Sequence, residues 1–205
     1  MPRRQRPLIR DSDTERDASL IVIASEDTYA VKRYFDRFQP RRVQFRFLPT
    51  EEGRSSPQAI VARLDAYRAE FEIGDDDELW YCGDIDHWAA GNHLPNLNVV
   101  LSHCHSQRYL VALSNPCFEL WLLLHFEESP GAALNCNEVC ERLRAVAGGY
   151  SKTNGCVANI TEAHVQQAIT RAKPSKIAPS LPNNPATQVY LIVKSMAARQ
   201  MIVLQ

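Results

Sequence analysis

Up to about residue 130, the chain alternates between two hydrophobic patterns. Short, largely unbroken apolar runs fall at 19–24 (SLIVIA), 79–83 (LWYCG) and 109–114 (YLVALS), and VQFRFL at 43–48 alternates. These predict strands, the unbroken runs being those expected of strands buried on both faces of a parallel sheet. Between them, apolar residues recur at spacings of three and four. Val31, Tyr34, Phe35 and Phe38 form one helical stripe, with Ser25 placed to cap its start. Ile60, Val61, Leu64, Tyr67 and Phe71 predict a helix over 57–72, opened by Ser56-Pro57. Another helix is expected within 92–106, and a strongly apolar one in NPCFELWLLLHF (115–126). Strands alternating with helices at this spacing predict an α/β fold, a parallel sheet flanked by helices on both faces.

Past Ser129-Pro130-Gly131 the pattern changes. Residues 136–147, 160–173 and 186–200 have helical spacing and are separated by polar or Pro/Asn-rich stretches, with no internal repeat. The first eighteen residues interleave arginines and aspartates with almost nothing apolar. The expected organisation is therefore a loose arm at 1–18, an α/β core at 19–130, and a C-terminal helical subdomain at 131–205 packed on that core.

Composition narrows the function more than the fold. With 205 residues, 45% apolar and 23% charged, the chain suits one medium globular unit. The net charge of -1 excludes a global basic signature, so any nucleic-acid partner must be engaged by a local patch. Arg33, Arg37, Arg41 and Arg42 are the leading candidates, with Arg171, Lys173 and Lys176 a weaker group. Long arginines on an exposed helix face are also commonly just solvated. No apolar stretch reaches a membrane span, and the first residues lack a secretory apolar segment, so a cytoplasmic location is expected. The six cysteines are scattered, several within apolar runs, where a thiol packs as a small hydrophobe. Disulfides are not expected. Zinc at His103-Cys104-His105 or Cys136-x3-Cys140 is disfavoured, because adjacent residues on one element cannot all face one ion and no paired CxxC occurs.

The acidic residues carry the candidate chemistry. In an open parallel sheet, ligands gather outside the carboxyl ends of the strands. Glu26 lies just past the first strand, Asp84 and Asp86 just past the third, and Glu119 a few residues past the fourth. Gly83 is expected to let the backbone leave the strand, and Ile85 to point toward packing. Carboxylates of this kind are the usual ligands of Mg2+ or Mn2+, and two such ions can drive phosphodiester hydrolysis. A lone DxD is nonetheless common, and acidic residues after strands often only cap helices. A haloacid-dehalogenase-type phosphatase also uses DxD, but after its first strand and without a residue like Trp88 two positions on. His87 is a candidate general base. His125, in an apolar helix, reads rather as a core or helix-end residue.

The ordered set of Glu26 after a buried strand, Tyr34-Phe35, Asp84-x-Asp86, SNPCFELWLLLHF (114–126), Tyr150-x-Lys152 and NPATQVYLIV (184–193) resembles the RloB family. This is a Toprim-like group encoded beside restriction-modification and anti-phage loci, often next to an ATPase gene. The resemblance runs from about residue 19 to 200, and SNPCFELWLLLHF is its most specific segment. It implies a Toprim-like, Rossmann-type sheet with a C-terminal helical extension. It also implies a Mg2+- or Mn2+-dependent nuclease acting on DNA or RNA in phage defence. By that resemblance Glu26 acts as a general acid or base or a metal ligand, and Asp84 and Asp86 bind Mg2+. Glu119 adds a possible ligand, and Lys152 steadies charge on a phosphoryl group. Asn115, Arg33 and Arg37 are candidate substrate contacts. The chain departs from the family where Cys-Glu-Gly and a later Thr-Glu are usual. It has Ser25-Glu26-Asp27-Thr28, then Ala30 and Val31. That departure keeps open a second function, a catalytically altered module that partners an ATPase or other effector. A third class is a phosphotransferase acting on nucleotides.

Overall fold

The computed structural model describes residues 19–27, 29–38, 43–50, 55–85, 94–128, 135–151, 159–172 and 185–199. The apolar runs become strands as their pattern dictates: β1 (Ser19–Ser25), β2 (Val43–Leu48), β3 (Glu78–Asp84) and β4 (Leu110–Asn115). All four are parallel, and a two-residue strand, β5 (Ala186–Thr187), adds antiparallel to β4. The sheet order is β2-β1-β3-β4-β5. The helices are α1 (Ala30–Asp36), α2 (Pro57–Glu70), α3 (Leu94–Ser106), α4 (Glu119–Leu123), α5 (Cys136–Val146), α6 (Glu162–Ala172) and α7 (Val189–Ala198).

Alternation along each strand divides the core in two. Ile21 and Ile23 of β1, with Trp80 and Cys82 of β3, pack against α1, α4 and the apolar faces of α5, α6 and α7. Leu20, Val22 and Ala24, with Leu79 and Tyr81, pack against Ile60 and Leu64 of α2 and Val100 and Cys104 of α3. The later helices thus complete one face of the sheet, through Val139, Leu143, Val165, Val189 and Ile192. α5 starts with a reciprocal capping box between Asn135 and Glu138. At the amino end of β3, Glu78 accepts hydrogen bonds from Trp80 Nε1, Ser195 Oγ and Arg199 Nη2, each at 2.7 Å, which ties α7 to the sheet.

Several expectations are corrected. Asp27, not Ser25, caps α1: its Oδ1 accepts from the amides of Tyr29 (2.6 Å) and Ala30, while Ser25 Oγ donates to the Asp27 carbonyl (2.6 Å). An aspartate two and three residues before those amides makes the tighter local turn. Residues 186–187 are strand, not helix, because Ser114 Oγ and Thr187 Oγ1 pair at 2.8 Å and the β4 edge needs partners. α4 is shorter than the apolar run, since His125 and Phe126 tighten to bond the carbonyls three residues back. Gly83 lies within β3, opposite Leu113, rather than at its exit.

A disulfide joins Cys117 to Cys136, whose Cα atoms are 5.6 Å apart, within bridging range. Among the described residues, Cys82, Cys104 and Cys140 are buried thiols outside the disulfide, as their apolar settings suggest. His103 turns to Asp65 (3.0 Å) while Cys104 faces the core, so the two do not share a ligand position.

Candidate functional site

The chain passes from β1 to β2 on one side and then crosses to β3 on the other. The order of strands therefore reverses between β1 and β3, the point at which such sheets form a crevice outside the strands' carboxyl ends. Ser25 pairs with Cys82 across that junction. The Glu26 amide still donates to the Cys82 carbonyl at 3.3 Å, so Glu26 emerges beside the end of β3. Asp84 is the last residue of β3, level with Ser114 of β4. Both carboxylate-bearing residues are half-buried.

The β4-to-α4 turn holds Asp84. Its Oδ1 accepts the Phe118 amide at 2.9 Å, and the Ile85 amide donates to the Ser114 carbonyl at 2.9 Å. Ile85 is buried, in the packing role expected of the middle residue. Asn115 ends β4 at the same edge and is buried. Glu119, one residue past the amide on Asp84, is 2% exposed. Its Oε1 accepts from Tyr150 Oη at 2.9 Å, and its Oε2 lies 3.8 Å from Cys136 Sγ. Among the described residues, Cys117, Glu119 and Cys136 place ligand atoms within 4.8 Å of one another and could hold a metal ion.

The electrostatics agree with this gathering. Burial raises the Cys82 thiol well above its usual range, and the charges of Asp84, Asp27 and Glu26 add to the effect. Burial likewise raises the Tyr81 hydroxyl, with Glu26 the largest charge contributing. Tyr150 is raised by burial and then by Glu119, which keeps it a proton donor to that carboxylate.

One residue at this edge was missed by sequence reasoning. Arg63, on α2, donates to the Leu48 carbonyl (2.8 Å) and to the Ser25 carbonyl (2.8 Å). It pins the last carbonyls of β2 and β1 just below Glu26. In sequence it is one more arginine on an amphipathic helix, with no signal that its head turns inward.

Arg33 on α1 and Arg37 just past its end are half-buried. The Arg33 guanidinium lies 5.6 Å from the Tyr29 ring, near the carboxyl edge, and that of Arg37 lies 5.9 Å from Tyr34 at the far end of the helix. His125 is fully buried, so its placement is that of a core residue. Asp86, His87, Trp88, Lys152, Arg41, Arg42, Lys173 and Lys176 lie outside the described residues, as does the 1–18 arm.

A parallel α/β sheet whose switch point is edged by acidic side chains from separate strands defines the class. The chain belongs to the RloB-like protein family, whose model matches residues 21–196. No curated protein and no solved structure matches it. Among the described residues, no helix is long and apolar enough to cross a membrane.

Proposed function

We propose that this chain is a Toprim-type nuclease, dependent on Mg2+ or Mn2+, that cleaves a phosphodiester of DNA or RNA in bacterial phage defence. The observation that carries this reading is the emergence of Glu26 and Asp84 from adjacent strand ends at the switch point. Carboxylate oxygens suit Mg2+, which when bound would polarise the phosphoryl oxygens and an attacking water. The chain's own part is placement. Asp84 and Asp86 would hold the ion, and Glu26 would either share it or move the proton of the attacking water. The Phe118 amide on Oδ1 fixes the rotation of Asp84, an outer-shell orientation of the ligand. Asn115 and Arg33 are assigned to the substrate backbone, with Arg37 a more distant candidate, and Lys152 is assigned to charge developing on the phosphoryl group. Glu119 follows the Phe118 amide that holds Asp84.

The test is purified protein with plasmid, linear DNA and RNA in Mg2+ or Mn2+, alone and with a neighbouring ATPase. Wild type is expected to cleave one of them. Glu26→Gln and Asp84→Asn are each expected to lower the rate by about 10²-fold or more, as loss of a transition-state charge stabiliser does. Wild-type protein inert on every substrate would exclude the nuclease.

A second reading is a partner module working through an ATPase or other effector. One observation favours it: Asp27, in the position of the family's glycine, is committed to capping α1. Phage defence undiminished by Glu26→Gln and Asp84→Asn would select this reading.

A further inference from the structure

We propose that Cys117, Glu119 and Cys136 form a thiophilic divalent-metal site, of the Zn2+ type, that exists when the Cys117–Cys136 disulfide is reduced. The three ligand atoms lie within 4.8 Å of one another, and Glu119 is 2% exposed. The site is separate from the crevice carboxylates, and its existence does not depend on nuclease activity.

The donor set decides the metal. Two thiolates and one carboxylate are soft-to-borderline ligands that select Zn2+ over Mg2+. Zn2+ takes thiolate at about 2.3 Å and carboxylate at about 2.0–2.2 Å, which places tetrahedral neighbours about 3.5–3.8 Å apart. Glu119 Oε2 already stands 3.8 Å from Cys136 Sγ. The other oxygen, Oε1, is held by Tyr150 Oη at 2.9 Å, so the carboxylate is oriented by an outer partner as metal-binding carboxylates commonly are. The two sulfurs must separate to take tetrahedral positions. Cys136 opens α5 and Cys117 immediately precedes Phe118, so side-chain rotation at two element ends suffices.

The two states exclude each other, and the conversion balances. A low-molecular-weight thiol, 2 RSH, reduces the disulfide to two protein thiols and leaves RSSR. Binding of M2+ by the two thiols then releases two protons. Because Phe118 lies between Cys117 and Glu119, the exchange takes place one residue from the amide that holds the proposed catalytic carboxylate of Asp84.

Full-length protein, reduced with a phosphine and desalted anaerobically, would be titrated with Co2+ as a spectroscopic stand-in for Zn2+. A thiolate-to-cobalt charge-transfer band and tetrahedral d–d bands should saturate at one ion per chain. They should be absent from protein left oxidised and be bleached by Zn2+. Cys136→Ser should lose the band. Glu119→Gln, which keeps shape and both cysteines, should weaken Co2+ binding by about 10–100-fold, as loss of a supporting ligand does. No thiolate band in reduced wild type, or one unchanged in both variants, would overturn the proposal. These bands arise only from sulfur ligation, so an inactive nuclease would leave this result unaffected.

Discussion

Gly83 shows how one missing methyl shapes the strand beneath the crevice. A Cβ there would stand 2.8 Å from Cε1 and 2.9 Å from the hydroxyl of Tyr81, two residues back on the same face. Tyr81 is 1% exposed, so its ring has nowhere to swing. Gly83→Ala should therefore destabilise the fold by about 1–3 kcal/mol through overpacking, read as a lower urea midpoint at unchanged slope. His125 makes a second residue-scale case. Its Nδ1–H donates to the Trp121 carbonyl (2.9 Å), which leaves Nε2 to accept from Tyr34 Oη (3.1 Å). Burial lowers its pKa to about 3, against about 6.5 in an unfolded chain. Between those values the unfolded chain binds the extra proton, so this contribution is intact above about pH 6.5 and is lost as pH falls toward 3. Near pH 5 the slope should approach about 1.4 kcal/mol per pH unit. His125→Phe should flatten that slope between pH 6.5 and 5 in urea melts, before the carboxylates titrate. The sequence read His125 as a core or helix-end residue, from its apolar neighbours. It could not show the Tyr34 partner, 91 residues away, or that Gly83 makes room for a ring.

At the scale of elements, the strands were legible because a strand buried on both faces is an unbroken apolar run, as SLIVIA and LWYCG are. The stripe from Val31 to Phe38 gave α1, but its cap was misplaced, since Ser25 and Asp27 are both good cap residues and only the backbone path distinguishes them. β5 was illegible because two residues carry no periodicity. What makes them a strand is the edge they meet. The C-terminal helix α7 depends on a contact outside any stripe, the Glu78 carboxylate that accepts from Ser195 and Arg199. Arg199 and Glu78 are 24% and 17% exposed, so their pair is only weakly screened. Arg199→Ala should cost about 1.5–3 kcal/mol, the range for a charge-assisted hydrogen bond. Hydrogen exchange should quicken in α7 and hold in β1.

For the whole molecule, the candidate site was legible as a convergence rather than as a motif. Glu26 and Asp84 are 58 residues apart (84 minus 26), and the α/β alternation implied that they meet at one sheet edge. The structure places them on adjacent strand ends, as that reading required. The disulfide was not legible, because Cys117 and Cys136 are 19 residues apart and the loop between them gives no sign that α5 folds back on α4. Arg63 was hidden for the same reason, since its partners are carbonyls contributed by two other strands.

The antiparallel pairing of β5 with β4 also sets an order in time. β4 is complete at Asn115, but its outer edge finds Thr187 and Gln188 only 72 residues later (187 minus 115). At ordinary synthesis rates of about 5–20 residues per second, that leaves the edge uncovered for roughly 4–14 s on the ribosome. For that interval the nascent chain offers Leu113, Ser114 and Asn115 to any strand that arrives first. Growth temperature and chaperone supply should therefore change the soluble yield of this protein, measured as the soluble fraction after expression.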